Sequence, residues 1–195
     1  MNNIPILLFF IYSAFSVNLL LQCGLGIKGA VESKNIFNLS VLIKISIVFF
    51  TIIMLWLFFS KVLFSLLPGV YIYILVFPVS FISYNIIEYL IICHLLKKGE
   101  QHKSSIYFPG GITAAAVFLC MLLANNILET IILSFGFTSG ILFVKLIIVE
   151  IRRRAALETV PVFLRGIPLV LITMGMLSLI FITASLLIFR MIDIR

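Results

Sequence analysis

Apolar runs of about 20 residues recur along the whole of this chain, and they restrict its fold more than any other feature. A helix of that length crosses the roughly 30 Å hydrocarbon core of a bilayer. Of the 195 residues, 63% are hydrophobic and 11% are charged, and a water-soluble domain of this size could not bury so much apolar surface. The pattern predicts an all-α polytopic membrane protein with a single membrane domain, residues 1–195. Its six spans are expected near residues 4–27, 36–59, 66–96, 108–123, 127–149 and 167–189.

Positive charges are divided unequally between the two ends of these spans. The loops after the first, third and fifth spans hold nine Lys and Arg residues, and the opposite side holds three. Because short loops rich in Lys and Arg stay in the cytoplasm, we expect the odd-numbered loops there and both termini outside. The net charge of +7 follows from this asymmetry. It indicates contact with an anionic lipid bilayer, and nucleic acid is not expected as a partner.

The six spans divide into two halves of three, at about residues 1–104 and 105–195. Each half opens with a span that glycines interrupt: "QCGLG" at 22–26 and "PGGITAAA" at 109–116. With three spans in each half, the second half enters the membrane from the opposite side. Interrupted spans at matching positions of such inverted repeats point to a functional centre. The alternative is that these glycines only allow neighbouring helices to pack closely.

Several polar residues lie at membrane depth, where they are costly. Asn85 and Glu88 lie three residues apart on one helical face, so they are candidates for an ion or proton pathway. Glu88 could equally form a hydrogen bond with a neighbouring helix. Lys145 is expected to extend to the membrane surface as an anchor, and Lys44 can do the same if it lies near the cytoplasmic surface.

The three cysteines are an odd number in apolar surroundings, so no disulfide framework is expected. Cys93 and Cys120 are interpreted as small hydrophobic residues. Cys23 differs, because Gly24 and Gly26 let the backbone leave the helix and let a cofactor approach closely. A thiolate there could bind iron, but clusters commonly take four thiolates, so further ligands must come from elsewhere. No phosphate loop, nucleophile–base pair or zinc-protease motif is present, so no catalytic residue is predicted.

The stretch "EIRRRAALETVPVFLRGIPLVLITMGMLSLIF", residues 150–181, resembles the signature of the RnfA/NqrE family. These proteins are small six-span subunits of the Rnf and Na⁺-translocating NADH:quinone reductase complexes. The family pattern is a basic stretch, then Val-Pro, Arg-Gly and a helix with Leu-Ile-Thr-x-Gly. Val160-Pro161, Arg165-Gly166 and the run Leu171 to Gly175 match it in order and spacing. Weaker matches place residues 18–26 and 109–117 on the family's two broken helices, and Asn85 and Glu88 on a polar pair in the third span.

The resemblance implies a subunit of the bacterial inner membrane with both termini outside and two inverted halves. Each half contributes a broken first or fourth helix with a Cys at its tip. A homologous RnfE/NqrD-like partner contributes two more, and the four thiolates hold a [2Fe–2S] cluster near the middle of the membrane. That cluster transfers electrons in a complex that couples the transfer to ion movement. Cys23 matches the first family Cys and would be the metal ligand, with Gly24 and Gly26 shaping the cofactor site.

The chain departs from the family pattern at two positions. Ala115 occupies the place of the second family Cys, and Gly24 replaces the Pro that usually follows the first. Cys120 lies five residues beyond Ala115, which is about 7.5 Å and 140° away on a helix. Three hypotheses follow: an electron-transfer subunit with Cys23 as a cluster ligand, a cluster-free scaffold that binds the same partner, and a small transporter or channel that uses Glu88. No enzyme activity is expected of the isolated chain.

Overall fold

In a computed structural model the chain is a bundle of α-helices. The structure describes residues 6–22, 24, 39–63, 69–95, 110–157, 161, 164 and 166–193, and no strand occurs within these ranges. Many helical residues, Lys44, Glu88 and Cys93 among them, are described by their backbone only. The expected all-helical class is therefore confirmed for the described part of the chain.

The described residues form six helical units that follow one another along the chain. The first is the N-terminal segment, which is divided into α1, a π-helical turn at Tyr12–Ser16, and α2. The third helix, α3, also ends in a π-helical turn, at Phe59–Leu63. The helices are α1 (Ile6–Ile11), α2 (Leu19–Gln22), α3 (Leu39–Phe58), α4 (Gly69–Leu95), α5 (Gly110–Leu123), α6 (Ile127–Leu157) and α7 (Ile167–Asp193).

Three of these units are long and apolar enough to cross a membrane. They are Ile45–Val62 in α3 with its π-helical turn, Ile127–Ala155 in α6 and Ile167–Ile188 in α7. The other three units carry shorter apolar stretches among the described residues: Leu8–Gln22, Tyr71–Ile87 and Gly111–Leu123. The membrane character that composition predicts is thus present in the helices themselves.

One helix is longer than a single crossing requires, and another extends beyond its expected bounds. The third span is one continuous helix, α4, although it contains Pro78. Its 27 residues correspond to about 40 Å, which exceeds the bilayer core. The fifth span continues eight residues beyond its apolar run, to Leu157. Residues 150–157 are mostly good helix formers, and Arg154 Nε lies 3.0 Å from Glu150 Oε1 one turn earlier, so the helix persists into the polar region.

The central helix of the bundle is α6. It contacts the N-terminal segment, α3, α5 and α7, whereas α4 packs against α3 and α5. Of the spanning stretch in α6, 56% is buried inside the bundle, compared with 17% in α7. Its fully buried side chains lie in the main apolar core: Leu133, Phe137, Val144 and Ile148.

Candidate functional site at the interrupted helices

The side-chain amide of Asn18 bridges the break in the N-terminal segment. The helix leaves α-helical geometry at Tyr12–Ser16, and α2 begins after Asn18. The Nδ2 of Asn18 donates to the carbonyl of Ala14 at 2.9 Å, and its Oδ1 accepts the N–H of Leu20 at 3.1 Å. Asn18 is only 1% exposed. The side chain therefore satisfies backbone groups on both sides of a break that water does not reach.

The interrupted segment lies on a glycine face of α6. A Cβ added at Gly140 would lie 2.5 Å from the carbonyl oxygen of Ala14 and 2.9 Å from Nδ2 of Asn18. A Cβ added at Gly136 would overlap the side chain of Ser13. Gly140 is thus required by the close approach of the Ala14 backbone and Gly136 by the side chain of Ser13, in the manner of small residues at membrane helix interfaces.

Beyond α2 the chain reaches the predicted iron-ligating region. Gly24 is half-buried and has a φ of +63°, a left-handed conformation that glycine adopts at little cost. The glycine that follows Cys23 therefore lies outside right-handed helical geometry. Cys23 and Gly26 themselves lie outside the described residues.

The N-terminal segment and α5 are in contact through α2. Residues 110–116 of the expected break in the fourth span belong to the continuous helix α5, so no interruption occurs within Gly110–Leu123, and Pro109 lies outside the described residues. Ala115 is partly buried against the core, and Cys120 is fully buried in it. Ala115 offers no ligand atom, so this position cannot hold a metal as the family Cys would.

The polar pair of the third span is on α4. Asn85 is exposed on the outer surface of the bundle, while Glu88 is described only by its helical backbone. Functional polar residues inside membranes usually face the bundle interior or a cavity. A pathway that includes Asn85 would therefore run along the outside of this chain and would need a second chain to enclose it.

The expectation that Lys145 reaches the membrane surface is wrong. Its side chain is only 4% exposed, because it lies on the central helix with neighbours on several sides. It shares a buried face of α6 with three hydroxyl residues spaced four apart. These are Thr130, Ser134 and Thr138.

Glu129 has a local structural role. Its Oε2 accepts the backbone N–H of Asn125 at 2.8 Å, in the turn that joins α5 to α6. A carboxylate in the first turn of a helix also interacts favourably with the helix dipole. Within residues 6–22, 24, 39–63, 69–95, 110–157 and 166–193, no cluster of three or more potential metal ligands is found.

Sequence reasoning missed the residues that hold the interrupted segment in place. Gly136 and Gly140 form a Gly-x-x-x-Gly motif in an apolar run, which is a recognisable signal for close helix packing. The bridging role of Asn18 carries no such signal, because it depends on where the helix breaks. At the other end of the chain, Gly166 has a φ of +89°, which gives a physical reason for glycine in the quoted Arg-Gly pair.

Comparison with known proteins adds no relative. The chain matches no protein-family model, and a search of curated proteins finds no significant match.

Proposed function

We propose that this chain is a membrane subunit of an Rnf/Nqr-type complex that couples electron transfer across the membrane to ion translocation. In this proposal Cys23 is one ligand of a [2Fe–2S] cluster shared with a homologous RnfE/NqrD-like subunit. The resemblance of residues 150–181 to the family signature is the starting point. The observation that carries the proposal is the way in which the helices pair.

The pairing of helices supports the proposal of two inverted halves. The N-terminal segment packs on α6 and α7, and α5 packs on α3 and α4. An inverted repeat would relate the N-terminal segment to α5, α3 to α6, and α4 to α7. Under this relation the pairing of the N-terminal segment with α6 corresponds to that of α5 with α3, and its pairing with α7 corresponds to that of α5 with α4. The α3–α6 pairing and the contact of α2 with α5 each join two helices that the repeat would relate to each other. The additional α5–α6 contact follows from the three-residue turn that joins these helices. This scheme supports an inverted repeat with the interrupted spans at its centre.

In this proposal the chain's own residues shape the part of the cluster site around Cys23. Asn18 bridges the break that precedes α2, and Gly24, next to Cys23, has a left-handed conformation. The packing of Ala14 on Gly140 fixes the depth of this tip in the bundle. The cluster, when bound, supplies one-electron transfer. The proposed arrangement places both termini outside the cytoplasm, in the inner membrane of a bacterium.

A second candidate is a cluster-free scaffold subunit that binds the same partner. Ala115 favours it, because no ligand atom is available at the tip of the second half. Cys120 faces neither lipid nor a neighbouring chain, because its side chain is completely buried in the core. A change of helical register would be needed to bring it to the position of Ala115.

The test is iron and acid-labile sulfide in the complex purified anaerobically with its membrane partners. We compare the unmodified chain with Cys23→Ala and, as the matched control, Cys120→Ala. Iron that is lost only in Cys23→Ala supports the electron-transfer proposal. Absence of iron from the unmodified complex, with partners still bound, favours the scaffold. Solute flux through the chain reconstituted alone would contradict both and favour a transporter.

A further inference from the structure

An open groove runs along α6 where the helix approaches its C-terminal end. It has a volume of about 430 Å³ and is lined by Leu146, Ile147, Glu150, Ile151 and Arg154. Their spacing places them on one face of the helix, over about 12 Å of its length. The three apolar side chains are half-buried, whereas Glu150 and Arg154 are exposed. The lining therefore changes from apolar to charged along the helix.

The groove lies where α6 leaves the hydrocarbon core. The apolar run at residues 127–149 is about 34 Å long as a helix, which is close to the ~30 Å thickness of that core. Leu146 and Ile147 are near the end of this run, so they lie at the depth of lipid acyl chains. Glu150 and Arg154 follow the run, so they lie at the depth of the headgroups. The order of apolar and charged side chains thus matches the order of tail and headgroup in a phospholipid.

The charge at the polar end of the groove is positive. Residues 150–154 contain Arg152, Arg153, Arg154 and one acidic residue, Glu150, which gives a net charge of +2. Oε1 of Glu150 accepts the Nε–H of Arg154 at 3.0 Å, and this bond holds the guanidinium at the end of the groove. It uses one of the five N–H donors of the guanidinium, a group whose geometry suits phosphate oxygens.

We propose that this groove binds an anionic phospholipid. One acyl chain lies against Leu146, Ile147 and Ile151, and the phosphate is held by Arg154 with the positive charge of its neighbours. Basic pockets beside membrane helices bind anionic headgroups in this way, and each juxtamembrane Lys or Arg contributes about 1 kcal/mol to the attraction. The site goes beyond the general attraction of a basic loop to a bilayer, because the groove defines a place for a single lipid molecule.

Other occupants match only part of the groove. Free phosphate would use the arginine but leave the apolar lining unfilled. A zwitterionic lipid such as phosphatidylcholine would fill the lining but carries no net charge to balance residues 150–154. An acidic protein segment would match the charge, but its polar backbone is disfavoured against Leu146 and Ile147 at acyl depth. The inference does not depend on the proposed electron-transfer role, because it rests on the shape, depth and charge of the groove.

Native mass spectrometry of the full chain tests the preference for a negative headgroup. The chain is released from micelles that hold equal amounts of phosphatidylglycerol and phosphatidylcholine with identical acyl chains. We expect it to retain one phosphatidylglycerol molecule in preference to phosphatidylcholine. Arg154→Gln should reduce that preference about fivefold, the equivalent of 1 kcal/mol, while Arg190→Gln at the end of α7 should change it less than about twofold. No preference in the parent chain, or equal losses in the two variants, would overturn the proposal.

Filling the groove tests where the lipid lies. Ile151→Trp places an indole in the groove and is expected to abolish retention of phosphatidylglycerol, whereas Leu179→Trp, at a site on α7 that is 67% exposed, should leave it unchanged. Thermal unfolding in lipid-free micelles checks that both variants fold. Should Ile151→Trp not fold, Arg154→Gln still decides the matter, because its side chain is 74% exposed. Retention by a folded Ile151→Trp chain, or displacement of the lipid by excess inorganic phosphate, would overturn the proposal.

Discussion

The helices α6 and α7 are equally apolar, yet they occupy opposite environments. The mean hydropathy of their spanning stretches is 2.2 and 2.3, but 56% of the first and 17% of the second is buried inside the bundle. Small and hydroxyl residues on α6, such as Gly136, Gly140 and Thr138, allow other helices to approach. The exposed face of α7 carries bulky side chains, such as Leu179 and Leu186. Hydropathy therefore identifies the spans, while residue size on each face decides which span lies at the centre.

The largest contrast is expected between two glycines, Gly140 of α6 and Gly175 of α7. Gly140→Leu should lower the free energy of unfolding by about 3 kcal/mol, because the new Cβ meets the backbone of Ala14 and the backbone cannot move aside. Nothing lies within 4 Å of a Cβ added at Gly175. Gly175→Leu should therefore be neutral or slightly stabilising. Denaturation in mixed detergent micelles measures both.

Equal effects of the two glycine substitutions would mean that α6 is not the central helix. A loss confined to Gly140→Leu, together with release of the N-terminal segment to proteolysis, would support the close contact. Gly140→Ala gives the intermediate case, since it adds the clashing Cβ and nothing more.

Within α7 the contrast can be sharpened by comparing a residue that packs inward with one that faces outward. Phe181 is 6% exposed, and its ring centroid lies 5.1 Å from that of Phe15 and 6.2 Å from that of Phe143. Phe181→Ala should cost about 2 kcal/mol, less than in a water-soluble core because lipid can replace part of the lost packing. Leu179→Ala, at a site 67% exposed, should have little effect. Similar losses would show that α7 is covered on both faces.

Substitution of a buried polar residue and of an exposed one should also have different effects on stability. Asn18→Ala removes a donor to Ala14 and an acceptor for Leu20 in a buried site, and unsatisfied backbone groups should lower stability by about 1–2 kcal/mol. Thr183→Val removes an exposed hydroxyl that bonds only its own helix, so we expect a change below about 0.5 kcal/mol. Amide hydrogen exchange at Leu20 gives a local readout. Unchanged protection there in Asn18→Ala would contradict the bridging role.

The sequence predicts the spans well and their packing poorly. Runs of apolar residues locate α3, α6 and α7. The glycines of the fourth span do not interrupt α5 within Gly110–Leu123. The position of Lys145 along its helix predicts a side chain that reaches the membrane surface. This prediction is wrong because burial depends on the neighbouring helices. Asn18 and Asn85 have the same side chain in comparable apolar runs, but one is buried and the other is exposed. Only tertiary packing separates them.

The smallest effect is expected at the polar end of α6. Glu150 and Arg154 form an ion pair of 3.0 Å with side chains 49% and 74% exposed, and such pairs contribute at most about 0.5 kcal/mol because solvent screens them. Glu150→Gln should therefore lower the free energy of unfolding by a few tenths of a kcal/mol at low salt, and by less at high salt, where screening is stronger. Arg190→Gln, near the end of α7, is the control and should show no change. A loss above about 1 kcal/mol in Glu150→Gln would mean that Glu150 binds more than Arg154, and that the end of α6 is part of a further, buried contact.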